Sequence, residues 1–299
     1  MRFTILSVLI MILSGIAQSS QSVTIIAGQE YEPGTRVGLP TTGVSFIIPR
    51  DWRGGMPPDQ AVFLLASHTK PGIGMAIMQT GMNQDNLIKF LSEQQDLGDN
   101  IVLQPEGTPK ITDSIIQMNY THVFYIGKAL GILGPHGNSV TFFFTGPTSE
   151  KKYYQTLLDK LIASVNFSEP ETSNLIKEWQ ILLSGMMLKK LESYSSGDTS
   201  GGYAGYSSEE TVHLCSDGTY TYSSSTNFGV DSGGGASSGY GADSDNEQGK
   251  WQVVVMGNQA VLLLEASDGN QTHQRLAFDG ERTFLDGNRV YRVKSDLCE

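Results

Sequence analysis

The C-terminal part of the chain alternates apolar and polar residues with a period of two, a pattern typical of β-strands. Eight such segments follow one another, at 187–194, 208–215, 219–224, 249–255, 260–265, 272–278, 283–285 and 290–294. Turn sequences separate them, including Asp-Gly at 217–218, 279–280 and 286–287, where glycine takes the positive φ of a tight hairpin. Eight short strands joined by hairpins predict an up-and-down β-barrel.

The N-terminal part mixes strand and helix patterns. Apolar segments of strand length occur at 44–48, 61–67, 73–79, 114–120, 123–126 and 140–145. A short helix is predicted near 85–95, and a longer one over 149–165, where apolar residues recur at i, i+3 and i+4. This order favours an antiparallel sheet with helices on one face, an α+β fold. Another helix is predicted from Leu175 to Leu183, just before the barrel.

Residues 1–22 have the pattern of a signal peptide. Arg2 precedes an apolar run, and the small residues Ala17 and Ser19 match the preference of a signal peptidase. The alternative is an uncleaved anchor, but the run is shorter than the ~20 residues that span a bilayer. We therefore expect export to the periplasm or the outside of the cell, with no membrane insertion after cleavage.

The remaining chain divides into two domains by composition and charge. We expect an α+β domain over 23–168, a linker over 169–174 and a barrel domain over 175–299 with a Gly/Ser-rich loop at 223–249. The first domain has a net charge of −2, whereas residues 169–299 have a net charge of −10. An acidic chain of pI 4.9 argues against nucleic acid and anionic membrane surfaces as partners.

The two cysteines, Cys215 and Cys298, both lie in the barrel domain. An even number of cysteines in an exported chain predicts a disulfide, with two free buried thiols as the alternative.

No catalytic or cofactor motif is evident. The five histidines include no closely spaced pair, and no Gly-x-Ser-x-Gly motif occurs. The glycine-rich segment 127–134 lacks the ending of a phosphate-binding loop and is interpreted as a hairpin tip or strand edge. Asp243, Asp245 and Glu247 are weak calcium candidates, although acidic loops of this kind are usually only solvated. We predict no catalytic residues, no cofactor and no metal.

Two resemblances add to this interpretation. The segments 43–52 (GVSFIIPRDW), 127–135 (GKALGILGP) and 163–167 (ASVNF) resemble those of PsbP-like exported α+β domains. Members of that group are mostly accessory or scaffold proteins, which implies binding rather than catalysis.

The second resemblance lies in the C-terminal half. The segments 215–222 (CSDGTYTY) and 249–253 (GKWQV), preceded by Trp179 and the run Leu183-Ser184-Gly185, resemble lipocalin-like barrels of exported bacterial proteins. Such barrels often hold a small apolar ligand. Tyr220, Tyr222 and Trp251 are the candidate ligand contacts.

Other tyrosines, at 194, 203, 206 and 240, could also line a binding mouth, or they could be ordinary sheet residues. The leading hypothesis is an exported, non-catalytic binding or accessory protein whose ligand is a small molecule in the barrel or a partner protein. The alternatives are a secreted hydrolase with a non-local active site and a structural protein of the cell envelope.

Overall fold

The computed structural model describes residues 22–58, 60–98, 101–171, 173–197, 203–231 and 238–298. The predicted signal peptide therefore lies outside the described residues, except for Ser22. The fold is mostly β, with three α-helices in the described residues: α1 (Gln84–Ser92), α2 (Lys151–Ser164) and α3 (Ser173–Leu183). The N-terminal strands are β1 (Val23–Thr24), β2 (Glu30–Tyr31), β3 (Arg36–Leu39), β4 (Val44–Ile47), β5 (Arg53–Gly55), β6 (Val62–Ala66), β7 (Ile73–Thr80), β8 (Gln95–Asp96), β9 (Val102–Pro105), β10 (Lys110–Thr112), β11 (Ile115–Thr121), β12 (Tyr125–Leu133), β13 (Asn138–Pro147) and β14 (Asn166–Phe167). The C-terminal strands are β15 (Met186–Gly197), β16 (Tyr203–Leu214), β17 (Thr219–Asp231), β18 (Ser238–Met256), β19 (Gln259–Ala266), β20 (Gln271–Phe278), β21 (Thr283–Leu285) and β22 (Asn288–Lys294).

The N-terminal half is built on one antiparallel sheet. Its strands lie in the order β2-β5-β6-β7-β13-β12-β11-β10, and β9 pairs with the end of β11. A smaller sheet, β1-β3-β4-β14, packs against it. The described part of this half thus combines two sheets with two helices.

The two helices cover opposite faces of this sheet, so the expectation that they share one face is wrong. On one face, Phe142 and Phe144 pack with the smaller sheet and with Leu158 of α2. On the other face, Phe143 packs in a separate core with Leu87 of α1. Successive residues of a strand point to opposite faces, so the continuous apolar run in β13 matches a strand buried on both sides.

The glycine-rich segment 127–134 is not a hairpin tip. It forms most of β12, a central strand paired with β11 on one side and β13 on the other. Its glycines allow close packing: a Cβ atom added to Gly131 would lie 2.6 Å from a methyl carbon of Leu87. Gly131 therefore lets α1 pack closely on the sheet, which explains this glycine without any phosphate-binding role.

The C-terminal half forms a closed eight-stranded antiparallel barrel, as predicted. Each strand from β15 to β22 pairs with the next, and β22 pairs back onto β15 to close the barrel. The predicted turn glycines Gly218 and Gly287 have φ values of +83° and +82°. A Cβ atom would strain these positions, so the Asp-Gly pairs set the hairpin turns.

Helix α3 closes one end of the barrel, which we call the closed end. Trp179 and Leu183 of α3 are buried in the same apolar cluster as the barrel residues Leu188, Leu262 and Leu264. The helix contacts β15, β18 and β19, and the chain enters β15 directly after Gly185. The closed end is therefore sealed by apolar side chains.

The two halves are joined through the outer side of the barrel. Strand β18 continues the N-terminal sheet through a bridge between Met256 and Gln79 of β7. The Val255 amide donates to Thr80 Oγ1 at 2.9 Å. From α1, Lys89 Nζ donates to Gly269 O at 2.5 Å and to Asn270 Oδ1 at 2.8 Å.

The predicted Gly/Ser-rich loop at 223–249 is wrong in most of its length. Residues 223–231 belong to β17 and residues 238–249 belong to β18, and the two strands pair in register from Thr219–Lys250 to Asp231–Ser238. Residues 232–237, between them, lie outside the described residues. Small polar residues and glycine carry little strand propensity, but pairing on both sides of β17 supplies the backbone hydrogen bonds.

Candidate binding surface at the open end of the barrel

The candidate ligand contacts Tyr220, Tyr222 and Trp251 all belong to the barrel core. Tyr220 is 2% exposed and Trp251 is 9% exposed, and Tyr222 packs partly buried against the same cluster. The Trp251 indole donates to the carbonyl oxygen of Cys215 at 2.8 Å. These side chains fill the interior, where they hold the barrel together.

We call the end of the barrel opposite the closed end the open end. The hydroxyl of Tyr220 is a polar group of this core on the side toward the open end. This hydroxyl donates a hydrogen bond to Glu247 Oε1. Burial raises the pKa of Tyr220, and the neighbouring Glu247 carboxylate raises it further because it disfavours a second negative charge. Tyr220 is therefore a neutral hydrogen-bond donor, and Glu247 faces inward at the barrel mouth.

Four strands extend beyond the open end. Strand β15 pairs with β22 only as far as Lys189, and β18 pairs with β19 only from Gly249 onward. Residues 190–197, 203–210, 223–231 and 238–248 therefore form a four-stranded sheet, which we call the extension. At ~3.3 Å per residue, its shortest strand projects about 26 Å past the closed barrel.

One face of the extension continues the inner surface of the barrel. Directly paired residues of an antiparallel sheet share a face, and every second row lies on it. The inner face thus runs from the row of Leu188, Val212, Tyr222 and Glu247 outward to the row of Tyr194, Tyr206, Phe228 and Gly241. We call Tyr194, Tyr206 and Phe228 the aromatic row.

The aromatic row is exposed. Tyr194, Tyr206 and Phe228 are 57%, 43% and 52% exposed. The rings of Tyr194 and Tyr206 stack with centroids 6.3 Å apart and an interplanar angle of 29°. None of the apolar core clusters in the described residues includes them. Three adjacent aromatic side chains in solvent form a contact surface of the kind that binding partners cover.

Glycines opposite the aromatic side chains let the rings lie flat on the sheet. A Cβ atom added to Gly241 would collide with the ring of Phe228, its partner across the strands. On the outer face, Tyr240 lies in the same way over its partner Gly229. Aromatic rings over cross-strand glycines stabilise a sheet that has no core of its own.

An acidic band lies between the aromatic row and the barrel mouth. By register, the charged side chains on this part of the inner face are Lys190, Glu192, Glu210, Asp243, Asp245 and Glu247. Lys190 Nζ lies 2.9 Å from Glu192 Oε1 and 3.5 Å from Glu210 Oε1. The single ammonium group is thus held on the β15 side, and within the described residues no lysine or arginine forms an ion pair with the carboxylates of β18.

The weak calcium candidates are these β18 carboxylates. Asp243 and Asp245 each accept a hydrogen bond from the next backbone amide, those of Ser244 at 3.0 Å and Asn246 at 2.8 Å. Within the described residues, no three histidine, cysteine, aspartate or glutamate side chains form a group able to hold a metal ion. Asp243, Asp245 and Glu247 follow one another along a strand, which spreads their oxygens instead of gathering them around one point.

The predicted disulfide is present at the closed end. Cys215 and Cys298 are bonded, with their Cα atoms 5.0 Å apart. The bridge fixes the last described residues of the chain against the turn that connects β16 and β17.

A histidine and a serine meet under this C-terminal tail. His213 Nδ1 lies 2.8 Å from Ser295 Oγ, and Asp296 Oδ1 lies 3.7 Å from the same nitrogen. Ser295 is 4% exposed, and its Oγ also accepts the backbone amides of Leu297 and Cys298. A nucleophile needs an accessible oxygen and a base oriented from its far side, so this contact fits tail anchoring and not the arrangement of a hydrolytic triad.

Comparisons with protein-family models, curated proteins and solved structures find no match to this chain. The resemblances to PsbP-like domains and lipocalin-like barrels therefore stay predictions. None of the helices in the described part of the chain is long and apolar enough to span a membrane.

Sequence reasoning found part of this surface. It singled out Tyr194 and Tyr206 among the tyrosines that could line a binding mouth, but Tyr203 and Tyr240 lie on the outer face of the extension. It missed Phe228, because the segment around it was interpreted as a loop. The available signal was a period-two placement of Tyr220, Tyr222 and Phe228 along one strand.

Proposed function

We propose that this chain is an exported, non-catalytic binding protein that holds an extended segment of a partner protein on the inner face of the extension. The observation that carries the proposal is the exposed aromatic row. Tyrosine is enriched among the residues that dominate binding energy, because it offers a large rigid surface with a polar tip. A sheet without its own core gains most from a partner that covers these rings.

The packing of the barrel interior favours a partner protein on the extension and disfavours a small-molecule ligand inside the barrel. The inward residues Tyr220, Trp251, Leu262 and Leu264 are all buried and belong to one cluster. A ligand in that position would have to displace packed side chains, at a cost of the order that large core substitutions show. The inner face of the extension can bind without such a rearrangement.

Export is supported by the signal-peptide pattern of residues 1–22 and by the Cys215–Cys298 disulfide, since disulfides persist mainly in oxidising compartments. In this proposal residues 23–168 form an α+β accessory domain of the PsbP-like kind. Residues 175–299 form the lipocalin-like barrel that carries the binding surface.

The proposal is tested by selection from a phage-displayed library of random linear peptides. The row variant, Tyr194→Ser with Tyr206→Ser and Phe228→Ser, removes the aromatic row. The face control, Tyr203→Ser with Tyr240→Ser, removes exposed aromatic rings from the outer face of the same sheet. Peptides selected by the unchanged protein should bind the row variant about tenfold or more weakly, and the face control within about twofold.

Circular dichroism and retained fluorescence of the buried Trp251 show whether the row variant keeps its barrel. The single variant Tyr206→Ser, which leaves two rings in place, gives a second measurement if the triple variant does not fold. Equal affinity of the selected peptides for the row variant and the unchanged protein would contradict the proposal, as would a library that yields no binding peptide.

A further inference from the structure

The outer edge of β18 in the extension has no pairing strand among the described residues. Among the described strands, residues 238–247 pair only with β17. The edge ends at Gln248, whose carbonyl oxygen accepts both the amide and the hydroxyl of Ser267. An edge of ten residues presents about 33 Å of backbone, which is long enough to template another strand.

Two backbone donors of this edge are occupied by side chains of the same strand. The amides of Ser244 and Asn246 donate to the carboxylates of Asp243 and Asp245, and therefore do not point toward β17. Side-chain carboxylates over edge amides prevent indiscriminate pairing in the free protein. Access to the edge then depends on a partner that draws these carboxylates away.

A cationic strand has that property. An added strand places its side chains directly opposite those of β18, with Cβ atoms about 5 Å apart, and alternate residues share a face. Lysine or arginine at every second position would face Glu247, Asp245 and Asp243 in turn. Each carboxylate could then pair with an incoming cation, leaving the amides of Ser244 and Asn246 to donate to the added strand.

The next position on the inner face is Gly241, which has no side chain and lies under the ring of Phe228. An apolar or aromatic residue of the added strand would lie beside this ring. Opposite β18 from Glu247 to Gly241, the edge therefore favours a partner sequence with the order basic, any, basic, any, basic, any, apolar.

We infer that the partner is a basic extended segment that pairs as a fifth strand along residues 238–247 of β18. This inference rests on the proposed function and specifies its partner. A second copy of the chain is a poorer occupant, because its own β18 edge carries the same carboxylates; antiparallel pairing about Asp245, for example, would place Asp243 opposite Glu247, and directly opposed like charges are destabilising. Lys190 compensates only the β15 side, so the uncompensated negative charge lies at the edge that the basic segment would contact.

The test uses the synthetic peptide Lys-Thr-Lys-Thr-Lys-Thr-Phe-Thr on the whole protein, with affinity measured by fluorescence anisotropy. One comparison peptide carries glutamate in place of each lysine, and another groups the three lysines together at one end. The alternating basic peptide should bind most tightly, and its affinity should fall as salt is added.

Two protein variants address the edge itself. Asp243→Asn with Asp245→Asn should weaken binding of the alternating peptide about tenfold or more, since two facing charge pairs are lost. The charge control, Glu178→Gln with Glu281→Gln, removes the same charge from exposed positions on α3 and in the turn after β20, and should change affinity less than about twofold. Ser244→Pro, which removes an edge donor not used by β17, should also weaken binding while circular dichroism stays unchanged.

The inference is overturned if the alternating basic peptide does not bind, if the glutamate peptide binds equally, or if Asp243→Asn with Asp245→Asn has no effect. If library peptides still lose affinity for the row variant in that case, the binding surface stands and only the basic partner is wrong. If the row variant also binds normally, the proposed function fails as well.

Discussion

Replacing both cysteines of the Cys215–Cys298 bridge by serine should lower the free energy of unfolding of the barrel by about 4.5 kcal/mol. The bridge joins residues 83 positions apart, so it closes a long loop in the unfolded chain. In the chain-entropy description, such a cross-link removes about 15 cal/mol/K from the unfolded state, or about 4.5 kcal/mol at 25 °C.

The folded barrel should survive this substitution because backbone contacts hold the same region. The Cys215 amide donates to Thr219 O at 2.9 Å, and the Ser295 amide donates to Gly185 O at 2.9 Å. Neither contact uses a sulfur atom. The loss of stability is therefore expected to arise in the unfolded chain, and the structure of the variant should be unchanged.

The assay is urea unfolding followed by tryptophan fluorescence in a Trp52→Phe background. Trp52 belongs to the N-terminal core, so its removal leaves Trp179 and Trp251 of the barrel cluster to report. Comparison within one background cancels the effect of Trp52→Phe itself. A loss below about 1 kcal/mol would refute the loop-closure argument, since natural disulfides of this kind usually contribute more.

Three further substitutions test other parts of the structure. Burial lowers the pKa of Lys128, whose Nζ contacts two amide oxygens at 2.8 Å. Between this lowered pKa and 10.5, the unfolded chain holds more protons than the folded chain. The stability of the unchanged protein relative to Lys128→Met should therefore rise with pH over that interval in urea titrations. A pH-independent difference would contradict this. Trp251→Phe removes the indole donor from the Cys215 carbonyl oxygen, which still accepts the Gly218 amide at 3.1 Å, and should cost about 0.5–1.5 kcal/mol of unfolding free energy. An unchanged midpoint would show that the indole hydrogen bond contributes nothing. Gly241→Val displaces the ring of Phe228 and should speed amide exchange in the extension, while the urea midpoint of the barrel stays the same. The control Ser244→Val, on the opposite face of the sheet, should leave amide exchange in the extension unchanged.

The barrel was predictable because each of its signals is local. Period-two alternation marks the strands, and Asp-Gly pairs at positions of positive φ mark turns such as those at Gly218 and Gly287. The disulfide was predicted from the even number of cysteines together with the signal-peptide pattern of residues 1–22. For the strands and turns, a few neighbouring residues determine the local geometry.

The extension was not predictable in the same way. Its strands are rich in serine and glycine, so the period-two signal rests on a few aromatic residues such as Phe228, and the pairing depends on neighbouring strands supplied by the barrel. The positions of α1 and α2 posed a related difficulty. Helix periodicity shows that each helix buries one side, but only the apolar run Phe142 to Phe144 indicates that the sheet is covered on both faces.

The central claim is that a partner binds on the extension, and amide hydrogen exchange tests it most directly. The protein is compared alone and saturated with the tightest peptide from the random library. The account predicts increased protection over 194–197, 203–206 and 238–247, with 84–92 and 259–266 unchanged. Protection confined to the barrel strands or to the N-terminal half, with the extension exchanging as in the free protein, would contradict it.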